Sequence, residues 1–472
     1  MFFRQIFEEK LAQYAYLVGC QRTGEALVID PMRDVARYRK IAEEEGLRLV
    51  AATETHIHAD FLSGIRELAE LHGVKAYLSA EGGAGWEYTW PERGRHDVHF
   101  LKHGDHFRVG NIRIEAVHTP GHTPEHLSFL ITDEGGGANE PMGIASGDFV
   151  FVGDLGRPDL LETAAGVEGA MEPSARRLWE SATRFLELPD YLQVWPGHGA
   201  GSACGKALGA VPETTVGYER RFSPALDMVQ RSQNDFVDFI LTGQPEPPVY
   251  FAEMKRLNRD GAPVLGQIPR ARRLDQAALT AALADTTRTV VDARVNRRDF
   301  MEGHLPGTLY APFDKSFPTI VGSYVLPESE VVLIIEEAFI EEAILDLIRI
   351  GYDHVGAYVT PDVVESSSGL KAIDVIDITE MDRRQKAEGG LVLDVRRLDE
   401  FEASHVPGAL NIAHTRLRVR EAELPKDREI LVHCRTGARA APAVALLQRD
   451  GYDVVYVDGE FGSWRPTVAA KA

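Results

Sequence analysis

The sequence predicts an α/β protein made of one large domain followed by two small, mutually related ones. Three observations predict it. The chain has 472 residues, about three domains at roughly 150 residues each, and a single core rarely grows so large. Strand-like and helix-like stretches alternate through its first half. The remainder repeats itself at domain length, with VVDARVNRRDFMEGHLPGTLYAP (290–312) answered by LVLDVRRLDEFEASHVPGALNIA (391–413). Both copies carry Asp-x-Arg and then Phe-x-x-x-His-x-Pro-Gly, and both later reach Gly-Tyr-Asp, at Gly351 and Gly451.

The elements follow in order. LAQYAYLVGC, the turn QRTG and EALVIDP form strand, turn, strand. VARYRKIAEEEG is helical, and LRLVAATET is a strand running into His56-Ile57-His58-Ala59-Asp60. FLSGIRELAELHG is a helix ended by Gly73. Strands return in FRVGNIRIEAVHT, HLSFLITD and GIASGDFVFVGD. From Gly243 to Gly266 the pattern loosens into Pro and Gly, as a linker does. The expected domains are 1–245, 268–365 and 373–472.

Composition narrows the function. At 44% hydrophobic and 26% charged residues, disorder, collagen and coiled coil are excluded. The formal charge of −21 repels polyanions, so no nucleic-acid partner is expected. Only Cys20, Cys204 and Cys434 occur, far apart and odd in number, which suits free thiols in a reducing compartment. The opening MFFRQIFEEKLAQ lacks a signal-peptide apolar core, and no uncharged run approaches the roughly 20 residues of a membrane span. The expectation is a cytoplasmic protein without a membrane partner. Assembly into a homo-oligomer stays open.

Histidine is the uneven residue: eleven of sixteen lie between His56 and His198. His56-x-His58-x-Asp60 after a strand, Pro120-Gly121-His122-Thr123, Ser146-Gly147-Asp148 and Pro196-Gly197-His198-Gly199 each set a ligand-type side chain beside glycine or at a strand end. Imidazoles and carboxylates so clustered point to a metal. Any one histidine alone would be a packing or capping residue.

T-x-H-x-H-x-D, P-G-H-T, G-D and the final G-H resemble the metallo-β-lactamase superfamily over about half the chain. The resemblance implies an αβ/βα sandwich with a metal at the sheet edges. Its two-metal hydrolases of the glyoxalase II type continue the first motif with Asp-His, whereas Phe61 follows Asp60 here. That removes one ligand of a second ion and leaves a mononuclear site of His56, His122 and Asp148. Two histidines and one carboxylate suit non-haem Fe(II), and within the superfamily this resembles the persulfide dioxygenases. SGDFVFVGDLGRPDL matches their pattern, implying Asp148 rather than Asp154 as ligand and Arg157 as a substrate-side cation. TTVGYERR, ending at Arg221, is similar to their closing motif. His58 and Asp60 then orient the ligands, with ligation by His58 left open, and His198 belongs to the pocket. Cys204, on the glycine-rich GAGSACGKALG near Lys206, is expected to face that pocket as a reactive thiol.

Near the C-terminus, EILVHC leads into Cys434-Arg435-Thr436-Gly437-Ala438-Arg439 and a helical AAPAVALLQRDG. A cysteine between strand and helix faces backbone N–H groups and the positive end of a helix dipole, and both favour the nucleophilic thiolate. Arg435 and Arg439 add positive charge. Cysteine phosphatases place five residues between Cys and Arg; here four intervene, which suits sulfur. With Asp394, Arg396, the His405–Gly408 stretch and Trp464, this resembles a rhodanese, implying a persulfide on Cys434. The first copy has VVLIIEEAFIEEAI at the matching place, without cysteine and with Glu336 and Glu337. It is expected to be a rhodanese-like domain without catalysis.

The resemblance as a whole implies a mononuclear Fe(II) persulfide dioxygenase fused to a rhodanese sulfurtransferase. Its partners would be a thiol persulfide, dioxygen and sulfite or thiosulfate, in sulfide detoxification. The alternative is a zinc thioester hydrolase of the glyoxalase II type with an accessory rhodanese; a third is a persulfide carrier with a vestigial metal site.

Overall fold

A computed structural model describes residues 1–92, 95–164 and 166–464. The last eight residues of the expected third domain lie outside the described residues. The chain divides into two compact units: Met1–Gln244 with Tyr250–Ile268 and Ile348–Gly351, and Pro245–Val249 with Pro269–Leu347 and Tyr352–Ala472.

The first unit stacks two six-stranded sheets, each running in chain order across its width. The period of two decides the layers. In strand Gln13–Cys20, Tyr14, Tyr16 and Val18 pack between the sheets with Phe129, Ile131 and Trp195. Ala15 and Leu17 face the other way, onto helices Ala36–Glu44 and Ile65–His72. On the far side, Ile144 and Val194 of the second sheet pack against helix Met171–Phe185 and the helices after it. Helix, sheet, sheet, helix is the αβ/βα sandwich.

Several local expectations change. An additional strand, Phe2–Glu8, pairs antiparallel with Gln13–Cys20 and forms the sheet's edge. FRVGNIRIEAVHT is two strands, His106–Val109 and Ile112–His118, because Gly110 reverses the chain at φ 54. The strand expected over 143–154 stops at Gly147, whose φ of 52 turns the chain just before Asp148. The stretch expected as a linker holds helix Phe251–Asp260, which buries Phe251, Met254 and Asn258.

The second unit contains two five-stranded parallel sheets of identical strand order. The repeated motif is explained by its bonds. In each copy the arginine of Asp-x-Arg pairs with its aspartate, Arg294–Asp292 at 2.7 Å and Arg396–Asp394 at 2.6 Å. The same guanidinium then donates to a carbonyl just before the histidine, Gly303 at 2.8 Å and Ser404 at 2.6 Å. His304 and His405 stack on Phe300 and Phe401. Among the described residues no helix is long and apolar enough to cross a membrane.

Candidate functional site

Strand Arg48–Thr53 ends at the sheet edge and delivers His56; the turn at Gly147 delivers Asp148. One donor atom from each of His56, His122 and Asp148 comes within 4.8 Å of the others, and all three residues are buried. His122 Nε2 is 3.5 Å and His56 Nε2 4.0 Å from Asp148 Oδ2. Gly197 makes room for the carboxylate, since a Cβ there would lie 2.5 Å from Asp148 Oδ1.

Hydrogen bonds select the tautomers. His122 Nδ1 meets the Arg157 carbonyl at 3.2 Å. A carbonyl only accepts, so Nδ1 carries the proton and Nε2 offers its lone pair. Thr55 Oγ1 donates to Asp30 at 3.0 Å and therefore accepts from His56 Nδ1 at 2.9 Å. Burial, followed by the neighbouring imidazoles, pushes His56 well below its ordinary value, so both rings are neutral as ligation requires. Both Asp148 oxygens are buried and accept no hydrogen bond. A buried, unpartnered carboxylate facing two imidazole lone pairs fits a cation.

The rival Asp154 is already satisfied, accepting from the N–H groups of Leu155, Lys206 and Ala207 at 2.9–3.0 Å. His58 Nε2 lies 3.2 Å from Asp30. Burial alone would lower His58, but Asp30 and then Glu54 and Asp60 outweigh it and raise it to about 9. Phe61 packs on the His58 ring, centroids 4.2 Å apart.

Two expectations need correction. Arg157 does not present a free cation: Nε and Nη2 meet both Asp159 oxygens at 3.0 and 2.6 Å, and Nη1 donates to Ala203 O at 2.8 Å. The fully buried guanidinium is paired with Asp159, and the residue meets His122 through its carbonyl. Cys204 is not in an electropositive setting, because Lys206 Nζ turns to the carbonyls of Phe239 and Thr242. Burial, then Asp60 and Asp148, push the Cys204 thiol well above its ordinary value. Cys204 instead joins Asp60 and His198 in a second buried group of possible donors, again within 4.8 Å.

Residues missed in the sequence complete the surround. His126 Nε2 accepts from Asp148 N at 3.1 Å, and Glu125 accepts from Ile57 N at 2.8 Å. Asn258 donates to the carbonyls of His58 and Phe61 at 2.8 and 2.7 Å. A histidine three residues past P-G-H-T is the visible hint for His126; nothing local flags Asn258.

In the second unit, Cys434 follows strand Ile430–His433 and precedes helix Ala440–Arg449. The thiol is buried and Gly437 has φ 85. Arg439 pairs with Glu400 at 2.5 and 2.8 Å and reaches the Cys434 sulfur. Arg435 is exposed.

Two stacked sheets carrying a buried imidazole–carboxylate cluster that could hold an ion, joined to paired parallel α/β repeats, define a candidate metal-site domain fused to a cysteine-loop domain. Residues 9–198 match the model of the metallo-beta-lactamase superfamily, and residues 377–467 that of the rhodanese-like domain. Persulfide dioxygenase ETHE1, mitochondrial, of Homo sapiens is 30% identical over 198 residues, 41% of this chain and 67% of that protein. Its Mus musculus counterpart is 29% identical over 228 residues, 48% of this chain and 76% of that protein. A metallo-beta-lactamase crystal structure from Staphylococcus aureus subsp. aureus COL is 43% identical, with a TM-score of 0.70, covering 76% of this chain and 99% of that one. The chain belongs to the metallo-beta-lactamase superfamily, and it carries a C-terminal rhodanese-like domain.

Proposed function

We infer that the chain is a non-haem iron persulfide dioxygenase coupled to a rhodanese sulfurtransferase, acting on a low-molecular-weight thiol persulfide in sulfide detoxification. The observation that carries it is the unpartnered Asp148 carboxylate facing His56 and His122, beside a Phe61 that offers no ligand. These three residues would hold the ion. When bound, ferrous iron supplies activation of dioxygen toward the terminal persulfide sulfur. The chain's own residues do the rest. Thr55 and the Arg157 carbonyl keep the ligating nitrogens unprotonated, while Asp60, His198 and Cys204 wall the pocket. The terminal sulfur leaves as sulfite, dioxygen and one water supplying its oxygens, and the thiol is released.

At the second site Cys434 Sγ attacks the outer sulfur of a persulfide or thiosulfate. The thiol or sulfite departs with the bonding pair, and the sulfane sulfur stays on Cys434 until an acceptor removes it. Arg435 and Arg439 oppose the negative charge of donor and leaving group.

The test is metal analysis with oxygen uptake. The purified protein should hold one iron per chain and consume oxygen with a thiol persulfide, and His122→Ala should lose both. Cys434→Ser should abolish thiosulfate-dependent sulfur transfer and keep oxygen uptake. Two zinc ions with fast thioester hydrolysis would instead support the glyoxalase II type of chemistry. The Asp60, His198 and Cys204 group is the feature that favours this second reading.

A further inference from the structure

Each repeat ends a helix on arginine just before its Gly-Tyr-Asp: Ile340–Arg349 before Gly351, and Ala440–Arg449 before Gly451. The surroundings of the two ends differ. In the second copy Gln448 and Asp450 are half-buried, and Arg449 lies at the surface, 3.9 Å from Asp450. In the first copy Ile348, Arg349 and Ile350 are all buried, and Ile348–Gly351 belongs to the compact unit built from Met1–Gln244. A Cβ at Gly351 would lie 2.8 Å from Met254 Cε, whereas at Gly451 it would meet nothing within 4 Å among the described residues. One helix end is surface and the other is core.

Arg349 occupies this buried place with its charge and with its carbonyl. Nε and Nη2 meet the two Asp34 oxygens at 3.1 and 2.7 Å, and Nη1 meets Glu8 at 3.2 Å. Glu8 in turn accepts from Leu11 N at 2.7 Å. Two buried carboxylates hold a planar guanidinium in one orientation, and the backbone of the same residue is held with it. The Arg349 carbonyl is among the last four of its helix, which have no intrahelical partner, and it accepts from Leu62 N at 2.7 Å. Leu62 directly follows the stretch that carries His56, His58 and Asp60. Buried backbone groups in such a loop must be satisfied from outside it. Here Glu125 takes Ile57 N, Asn258 meets the His58 and Phe61 carbonyls, and Pro31 takes Gly64 N. Arg349 supplies the partner that comes from farthest along the chain.

We propose that Arg349 is a positioning residue of the candidate metal site: its guanidinium, seated on Asp34 and Glu8, fixes the carbonyl that ties down Leu62 and with it the loop carrying His56, His58 and Asp60. The cysteine-free repeat thereby lends the first unit a part that Met1–Gln244 lacks. The inference rests on the reading of His56, His122 and Asp148 as metal ligands. The duplicated sequence carries its own control, because the corresponding Arg449 stays at the surface.

The experiment uses the full chain. In metal-free Arg349→Met, amide exchange read by mass spectrometry should quicken about tenfold in the peptide spanning 54–64, as loss of one buried hydrogen bond implies, while strand Leu127–Asp133 keeps the parent rate. Fe(II) affinity, from competition with a calibrated chelator, should fall roughly 10–100-fold. Arg349→Lys should lose about tenfold, since an ammonium keeps the charge but cannot span two carboxylates as the fork does. Arg349→Met leaves two buried carboxylates without their counter-charge, which is strongly destabilising. A second variant therefore adds Glu8→Gln and Asp34→Asn; it should recover the unfolding temperature and still show the faster exchange and the weaker affinity. Arg449→Met should change neither quantity. Parent-like exchange and affinity in the triple variant overturn the proposal, as does an equal effect from Arg449→Met. Faster exchange at 54–64 in a chain whose parent binds no Fe(II) would leave Arg349 as the residue that positions this loop and remove the iron reading instead.

Discussion

Thr55→Val tests how the candidate metal centre is kept ready. Valine matches threonine in shape and removes one hydroxyl. That hydroxyl donates to Asp30 at 3.0 Å and accepts from His56 Nδ1 at 2.9 Å, wholly out of solvent. Without it, the His56 ring in the metal-free protein prefers the other tautomer, with its proton on Nε2 facing Asp148. Binding an ion then requires moving that proton back to Nδ1, where no acceptor waits. A buried donor left unsatisfied costs roughly 1–3 kcal/mol, and removing the hydrogen-bond partner behind a ligating histidine typically weakens metal binding by about 10–100-fold. The two figures agree. Asp30 itself keeps the Thr55 N–H at 2.6 Å and His58 at 3.2 Å, so the surrounding loop stays anchored.

The assay is anaerobic competition for Fe(II) between protein and a calibrated chelator, read against parent and Thr55→Ser. The valine variant should bind roughly 10–100-fold more weakly, and the serine variant should recover most of the affinity. Parent-like affinity in Thr55→Val would refute the tautomer argument. A variant that loses affinity equally as valine and as serine would refute it too.

Two further outcomes follow from the same surround. His58 is raised from 6.5 to about 9, so its pairing with Asp30 stabilises the fold fully below pH 6.5 and fades as pH rises through 9. In metal-free protein, the gap in urea-unfolding free energy between parent and His58→Gln should shrink by about 3 kcal/mol across that range, and a constant gap would contradict it. Asn258→Ala leaves the carbonyls of His58 and Phe61 and the Ser63 N–H without partners. Thermal and denaturant unfolding should show a loss of roughly 2–4 kcal/mol, with reduced iron retention.

The fold was legible because strand alternation and the internal repeat are local signals that survive without coordinates. The clustering of His56, His122 and Asp148 was legible for a related reason: each sits at a strand end or beside a glycine that the turn requires. Gly147 and Gly197 are where sequence and geometry meet, one by turning the chain at φ 52 and the other by leaving space for Asp148. What failed was inference from adjacency along the chain. Lys206 is two residues from Cys204 but points its ammonium at Phe239 and Thr242. Arg157 reads as a free cation in the sequence because nothing along the chain shows that Asp159, two residues on, is its counter-ion.

The remaining unread residues act across long sequence separations, where a single sequence carries no pairing information. Asn258 reaches His58 across 200 residues, from a helix hidden in a Pro- and Gly-rich stretch whose ten residues bury only one narrow face. Arg297 reaches Thr436 across 139 residues. In the sequence Arg297 is a surface-type residue of the first repeat, and only the meeting of the two repeats pairs it with Thr436 and Asp458. The Thr436 carbonyl of the cysteine loop is met from the other repeat, by Arg297 at 3.0 Å, a bond that neither repeat announces along its own sequence.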